Sequence, residues 1–386
     1  MAYNPSMTNP FRYGDLALDE AFTDREAELR ELEADIRNGQ NVVVTAPRRY
    51  GKSSLVWRAV QHLTAKGVLV AQVDLMRAAT KEQFAALLSR AIYDDIATPI
   101  YRARDRAVQV FRGLRVAPTM TVDPVDGAMR FSFTAGYASD DIDATLERLL
   151  ELPAELGAER KKRVAIVFDE FQEVIELDPR LPALMRAVFQ AQPDVSHVYL
   201  GSKRSMMSRL FNDVNEPFWR SARQVELGPI AAADFAPFIV SRFRDTGRSI
   251  DDDAVALVLE ITGGHPYGTQ ELCYTLWEET APKRRATTAT VADGLARVLR
   301  SENAHFTRIW DTVSRVQRLV LQALAAEPST ALTSGEYRRR HGLPAPSSVQ
   351  KAVDALVDAE LVVRDAPGSY RIAEPFLAEW IGANAV

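Results

Sequence analysis

The sequence predicts an α/β protein in which a parallel sheet interleaved with helices is followed by a helical segment and a small C-terminal module. Three observations carry this. Residues 41–54 read as a buried strand entering a phosphate-binding loop and then a helix. Residues 164–168 are a continuous apolar run, expected of a strand covered on both faces, and end in Asp169 and Glu170. Strand and helix patterns alternate up to about residue 230, and from Ala231 the strands stop.

In chain order, Leu29, Leu32 and Ile36 lie at helical spacing within 24–37, and Asn38-Gly39 is a helix-ending signal. The strand at 41–45 follows at once. Leu55, Val56, Ala59, Val60 and Leu63 then mark the helix after the loop, and a strand at 68–74 precedes a helix at 80–95. Residues 98–140 break the alternation. Thr119–Val122, a turn at 123–127, and Met129, Phe131 and Phe133 alternating with Arg130 and Ser132 read as a β-hairpin inserted between core elements, a place where partner contacts concentrate. The cluster Arg102, Arg104, Arg106, Arg112 and Arg115 just before it is either a solvated helix face or a contact for phosphates or an acidic protein.

Beyond 231 apolar residues keep helical spacing, and Gly263-Gly264-His265-Pro266 bends the chain before a helix at 268–279. His265 reads as a residue orienting that bend rather than as a catalytic base. Helices at 314–325, 333–341 and 346–359 and a hairpin over 361–372 have the shape of a winged helix. The expected organisation is a core at 1–230 with the insertion at about 98–140, a helical lid at 231–308 and a winged helix at 309–386.

The loop fits G-x-x-x-x-G-K-[ST] except at its first position, where Ala46 stands. Gly51 lets the backbone approach a phosphate, Lys52 reaches the β and γ phosphates, and the Ser53 hydroxyl faces magnesium. In the loop Pro47-Arg48-Arg49-Tyr50-Gly51, the backbone N–H groups from Arg48 through Ser53, with Ser54 in the first helical turn, form an anion-binding concavity at a positive helix end. Alanine at 46 requires that the first turn not demand a positive φ. Asp169 is placed to hold magnesium, and Glu170 to take a proton from the attacking water. The alternative is that both acids only favour the N-terminus of a helix starting near Phe171.

The chain has 386 residues, 47% of them hydrophobic, and a net charge of −5, so no general basic field draws it to nucleic acid. No apolar run approaches the ~18 residues of a membrane span, and the N-terminus lacks the regions of a signal peptide. One cysteine, Cys273, precludes an internal disulfide and suits the cytoplasm. The five histidines show no zinc spacing.

Phe22-Thr23-Asp24-Arg25-Glu26, Ala46 to Ser53, Phe168 to Phe171 and Gly264-His265-Pro266 together make the chain resemble the archaeal ATPase family. That family belongs to the signal-transduction (STAND) branch of P-loop ATPases related to AAA+ proteins and Orc-type initiators. The resemblance spans roughly residues 15–385. It implies a P-loop NTPase fold with a five-stranded parallel sheet, a helical lid and a C-terminal winged helix, and a switch driven by ATP with Mg2+. It also implies that Asp24 and Arg25 lie near the adenine, Ser202 is the polar sensor after the next strand, Arg220 faces the γ phosphate, and Pro266 packs on the base. ATP rather than GTP rests on resemblance alone.

Two functions follow. In the first, ATP hydrolysis to ADP switches a protein partner through lid and winged helix, with the chain a monomer or a nucleotide-dependent oligomer. In the second, nucleotide sets the conformation of a DNA-binding protein of initiator or mobile-element type, supported by Arg338-Arg339-Arg340. Against it, residues 313–386 carry equal numbers of acidic and basic residues, and the third helix exposes Asp354 and Asp358 beside Lys351, opposing counterion release on DNA. A nucleotide-bound scaffold without catalysis is disfavoured by Glu170.

Overall fold

Residues 8–14, 22–97, 110–111, 113–123, 125–133, 138–328, 331–366 and 368–384 are described by a computed structural model, and the chain divides into two compact units. One comprises Arg25–Ala46 and Lys52–Leu227; the other comprises Met1–Asp24, Pro47–Gly51 and Gly228–Val386.

In the first unit the strands are β1 (Val42–Thr45), β2 (Leu69–Asp74), β3 (Thr119–Val122), β4 (Met129–Ser132), β5 (Val164–Asp169), β6 (Val195–Gly201) and β7 (Arg223–Glu226). Five of them form one sheet in the order β2-β5-β6-β1-β7, with every pair parallel. β6 lies between the strand of the phosphate loop and the strand of the paired acids. All seven residues of β6 and the first five of β5 are buried, which is why Val164–Phe168 and Val198–Gly201 read as apolar runs, with the buried polar Ser196 and His197 preceding the second. β7 is an edge strand and buries only Val225. The connecting helices are α1 (Glu26–Arg37), α2 (Lys52–Ala65), α3 (Lys81–Ala91), α4 (Ser139–Arg160), α5 (Glu173–Leu177), α6 (Leu181–Gln190) and α7 (Arg204–Asn212).

β3 and β4 form the expected antiparallel hairpin. Phe131 anchors it, meeting Phe111 at 5.2 Å and Tyr93 at 5.5 Å between ring centroids, while Val125 in the turn is fully open to solvent. Arg102, Arg104, Arg106 and Arg112 lie outside the described residues. Arg115 pairs with Asp141 at 2.5 Å. The helix expected to start near Phe171 starts at Glu173. Glu170 has a φ of 50°, and the Phe171 amide donates to the Leu200 carbonyl at 2.7 Å, so this stretch is tied to β6 rather than wound into a helix.

The second unit contains α8 (Ala232–Asp245), α9 (Asp252–Thr262), α10 (Pro266–Glu279), α11 (Thr288–Thr312), α12 (Arg315–Ala326), α13 (Gly335–Arg340), α14 (Pro346–Asp358), the hairpin β10 (Val362–Ala366) and β11 (Ser369–Ile372), and α15 (Pro375–Asn384). A two-residue parallel bridge, β8 (Ser249–Ile250) with β9 (Arg285–Ala286), corrects the expectation that strands cease after 231. One apolar cluster runs from Phe235 and Phe243 through Leu272 and Phe306 to Leu321, Leu356 and Phe376. Gly264 has a φ of 70°, and a Cβ there would sit 2.1 Å from the Ile230 carbonyl oxygen, so only glycine permits the amide of Ile230 to bond the Gly264 carbonyl at 2.9 Å.

Candidate functional site

Three parallel strands deliver the key side chains from their C-terminal ends, where open α/β sheets bind ligands. β1 leads into Ala46, which is fully buried and is absent from the residues with positive φ, so alanine is tolerated as expected. The left-handed positions of the loop are instead Arg49 (φ 66°) and Gly51 (φ 82°). Helix α2 begins at Lys52, with Ser53 and Ser54 in its first turn.

Lys52 is buried, its Nζ lying 3.9 Å from Glu170 Oε1. That is too long for a hydrogen bond, so the ammonium keeps donor capacity beside a carboxylate. β5 ends in Asp169, whose Oδ1 accepts the Glu170 amide at 3.0 Å. Ser202, following β6, is buried and donates to Glu170 Oε2 from its hydroxyl at 2.9 Å and its amide at 3.2 Å. Gln172 donates to the same oxygen from Nε2 at 2.6 Å. Burial alone would raise Glu170, but the Gln172 hydrogen bond, the Lys52 charge and the Ser202 hydrogen bonds outweigh it and hold the carboxyl below its ordinary value. Asp169 is raised by burial above all, and the neighbouring carboxylates of Glu170 and Asp74 add to this against Lys52.

Beside these groups lies a cavity of about 330 Å³ lined by Ser53, Asp74, Arg77, Arg90, Asp95 and Asp169, among others. Asp74 stands opposite Asp169 in the β2–β5 register, and burial pushes Asp95 up to about 6. A serine hydroxyl and carboxylates are hard oxygen donors, the set that magnesium takes.

The loop residues 47–51 belong to the second unit, and their side chains are engaged there. Arg48 Nε pairs with Glu360 Oε2 at 2.8 Å, Arg49 Nη1 meets Glu374 Oε2 at 3.4 Å, and the Arg49 guanidinium lies 4.2 Å over the Tyr267 ring. The Tyr50 hydroxyl accepts from Arg371 at 2.7 Å, and its ring packs edge-on to His265 at 4.6 Å. His265 caps α10, its Nδ1 accepting the Gly268 amide at 3.1 Å. Burial and the nearby Arg371 and Arg49 push it down to about 3, so it is a neutral ring at physiological pH. Pro266 is the first residue of α10.

Glu271 is 3% exposed in the same unit, and burial with the charges of Glu302 and Glu374 raises it to about 8 against the pull of Arg49. A carboxyl raised on folding contributes most below its unfolded value of 4.5, and the contribution is lost as pH climbs towards 8. Glu271→Gln should therefore raise the melting temperature, by an amount that grows between about pH 5 and pH 8 and then levels at several degrees, corresponding to roughly 2 kcal/mol. Thermal melts of both proteins across that range check it.

Arg25 is buried and pairs with Glu28 at 3.0 Å; Asp24 and Arg25 both have positive φ. Arg220 is exposed with a φ of 49°, its guanidinium 5.4 Å from the Trp219 ring centroid. In the arginine triplet, Arg340 pairs with Glu327 at 2.7 Å and Glu336 at 3.0 Å, and Arg338 bonds the carbonyls of Thr333 and Pro344. Sequence reasoning missed Gln172 and Asp74. Asp74 has the signature of Asp169, an acid ending an apolar strand, and Gln172 is an amide set among Phe168, Phe171 and Val174.

Residues 22–272 match the family described as an ATPase domain predominantly from Archaea, and residues 304–383 match a probable winged helix domain. The chain belongs to this archaeal-type ATPase family. Among solved structures similar to this archaeal-type ATPase is the Walker-type ATPase PABY2304 of Pyrococcus abyssi, with a TM-score of 0.65 at 16% identity over 95% of this chain and 97% of that one. The Aeropyrum pernix ORC2 protein, solved as ADPNP–ADP complexes, gives a TM-score of 0.54 at 14% identity over 97% and 98%. These likenesses show the fold of the archaeal-type ATPase. No curated protein matches it significantly. Among its described residues no helix is long and apolar enough to cross a membrane.

Proposed function

We propose that the chain is an ATP-binding and ATP-hydrolysing switch whose nucleotide state is passed through the lid and winged helix to a protein partner. The observation that carries the reading is the convergence of Lys52, Asp169, Glu170 and Ser202 at the ends of β1, β5 and β6. The loop amides from Arg48 to Ser53 and the Lys52 ammonium hold the β and γ phosphates, Ser202 and Arg220 act as γ-phosphate sensors, and Asp24, Arg25 and Pro266 serve the adenosine end. Ser53 and Asp169 would hold Mg2+, which neutralises charge on the phosphates when bound. Glu170 takes a proton from the attacking water, whose oxygen bonds to the γ phosphorus as the bond to the ADP oxygen breaks.

Coupling is supported by the loop side chains. Arg48 and Arg49 face Glu360 and Glu374, next to the wing hairpin, and a bound triphosphate competes with those carboxylates for the same guanidinium groups. A protein rather than DNA is favoured as partner because Arg338 and Arg340 are engaged within the module and Asp354 and Asp358 are exposed. Turnover of ATP by the purified protein, with and without Mg2+ and with duplex DNA in parallel, tests the reading. Magnesium-dependent phosphate release unaffected by DNA is expected; no release by well-folded protein would overturn it.

A further inference from the structure

We propose that Gln172 is a positioning residue for ATP hydrolysis: its side-chain amide pins Glu170 Oε2 and leaves Oε1 as the oxygen that receives the proton of the attacking water. The inference rests on the reading of Glu170 as the base, and deepens it.

The geometry divides the two carboxylate oxygens of Glu170 sharply. Oε2 accepts three hydrogen bonds, from Gln172 Nε2 at 2.6 Å and from the hydroxyl and amide of Ser202 at 2.9 and 3.2 Å. Such an oxygen has no lone pair left in a useful direction. Oε1 faces Lys52 Nζ at 3.9 Å, beyond hydrogen-bond reach, and is the oxygen with capacity to spare. The charged groups around the carboxylate are Lys52 from α2 and Asp169 from the end of β5.

Gln172 is held at a cost that packing alone does not explain. It is 1% exposed, yet its Oε1 has no hydrogen-bond partner among the described residues. A leucine of similar volume would remove that orphaned acceptor together with the bond to Glu170 Oε2, so the amide serves the carboxylate rather than the packing. The orientation of the amide is fixed, since turning it over would set two oxygens against each other. Neighbouring positions make room for it. A Cβ on Gly201 would lie 2.7 Å from Gln172 Oε1 and 2.3 Å from Met207 Cγ, so the amide occupies space that a glycine before Ser202 leaves open. The backbone is committed too, because Glu170 adopts a φ of 50° and the Phe171 amide bonds to Leu200 on β6. An ordered general base, held by a neighbour that touches neither water nor phosphate, is the arrangement that orientation-sensitive proton transfer requires.

The test compares wild type, Gln172→Leu, the near-isosteric and uncharged Gln172→Met, Glu170→Gln and the double variant Glu170→Gln/Gln172→Leu, measuring kcat for ATP alongside ATP affinity by calorimetry and the melting temperature. Loss of one charge-assisted hydrogen bond should lower kcat about tenfold in each Gln172 variant while ATP affinity stays within about twofold. The second substitution should add nothing once Glu170 is gone. If Gln172→Leu does not fold, Gln172→Met carries the comparison. Unchanged kcat, a parallel loss of affinity, or additivity in the double variant would overturn the assignment while leaving ATP hydrolysis intact. A wild type that hydrolyses no ATP, or a Glu170→Gln variant as fast as wild type, removes the underlying reading and this inference with it.

Discussion

Replacing Glu170 by Gln is expected to lower ATP turnover by about 100- to 10,000-fold while ATP binding persists, the range for removing a positioned general base. The substitution keeps the volume of the side chain. Its carbonyl oxygen can take the place of Oε2 and accept from Ser202 and Gln172, so the ends of β5 and β6 stay joined. What disappears is the anionic oxygen facing Lys52, and with it the capacity to take a proton from water. Single-turnover hydrolysis with calorimetry on the same sample checks both halves. A variant that turns over ATP at the wild-type rate would take Glu170 out of the chemistry.

Lys52→Ala is expected to act a step earlier, weakening ATP binding by about 100-fold or more, since a charge-assisted contact to phosphate is worth roughly 1.5–3 kcal/mol and the proposed function gives this lysine two phosphates. Its ammonium is buried and is drawn towards Glu170 without bonding to it. Removing it also leaves Asp169 and Glu170 without the cation that pulls both carboxyls down. Calorimetry and the rise in melting temperature on adding ATP measure the loss. Equal affinity in wild type and variant would mean that the loop does not grip a triphosphate.

The parts of the fold read correctly from sequence are those where burial and periodicity act together. Val42–Val44 and Val164–Phe168 are strands covered on both faces, and no helix-period pattern competes with them. Val349, Val353 and Leu356 face inward on α14 and leave Asp354 and Asp358 outside, as their spacing requires. Residues 288–312 were harder. α11 is a 25-residue helix with many charged residues, and only Val291, Gly294, Val298 and Phe306 along it are buried, too sparse a stripe to announce so long an element. The two-residue bridge β8–β9 has no periodicity to detect.

The structure gathers Lys52 with Glu170 and Ser53 with Asp169, a grouping legible in the sequence because each residue sits at a fixed offset from a strand end. Ser202 was expected to sense phosphate and is found bonded to Glu170. The following helix starts two residues beyond the expected Phe171, because Glu170 leaves β5 in a left-handed conformation and Phe171 is drawn to β6, a tertiary effect that local preference does not contain. The pairing of Arg48 and Arg49 with Glu360 and Glu374 spans more than 300 residues, and no local pattern encodes it.

The aromatic packing of α11 against α15 bears on how this protein can be dissected. Phe306 and Trp310 meet Trp380 at 6.2 Å, and the indole nitrogen of Trp380 donates to Asn303 at 2.8 Å. A truncation after residue 312 would therefore strip α11 of its partner and lay Phe306 open to water. Fragments meant to isolate the ATPase half should aggregate unless that face is redesigned, and the C-terminal module is best probed by point substitutions in the intact chain.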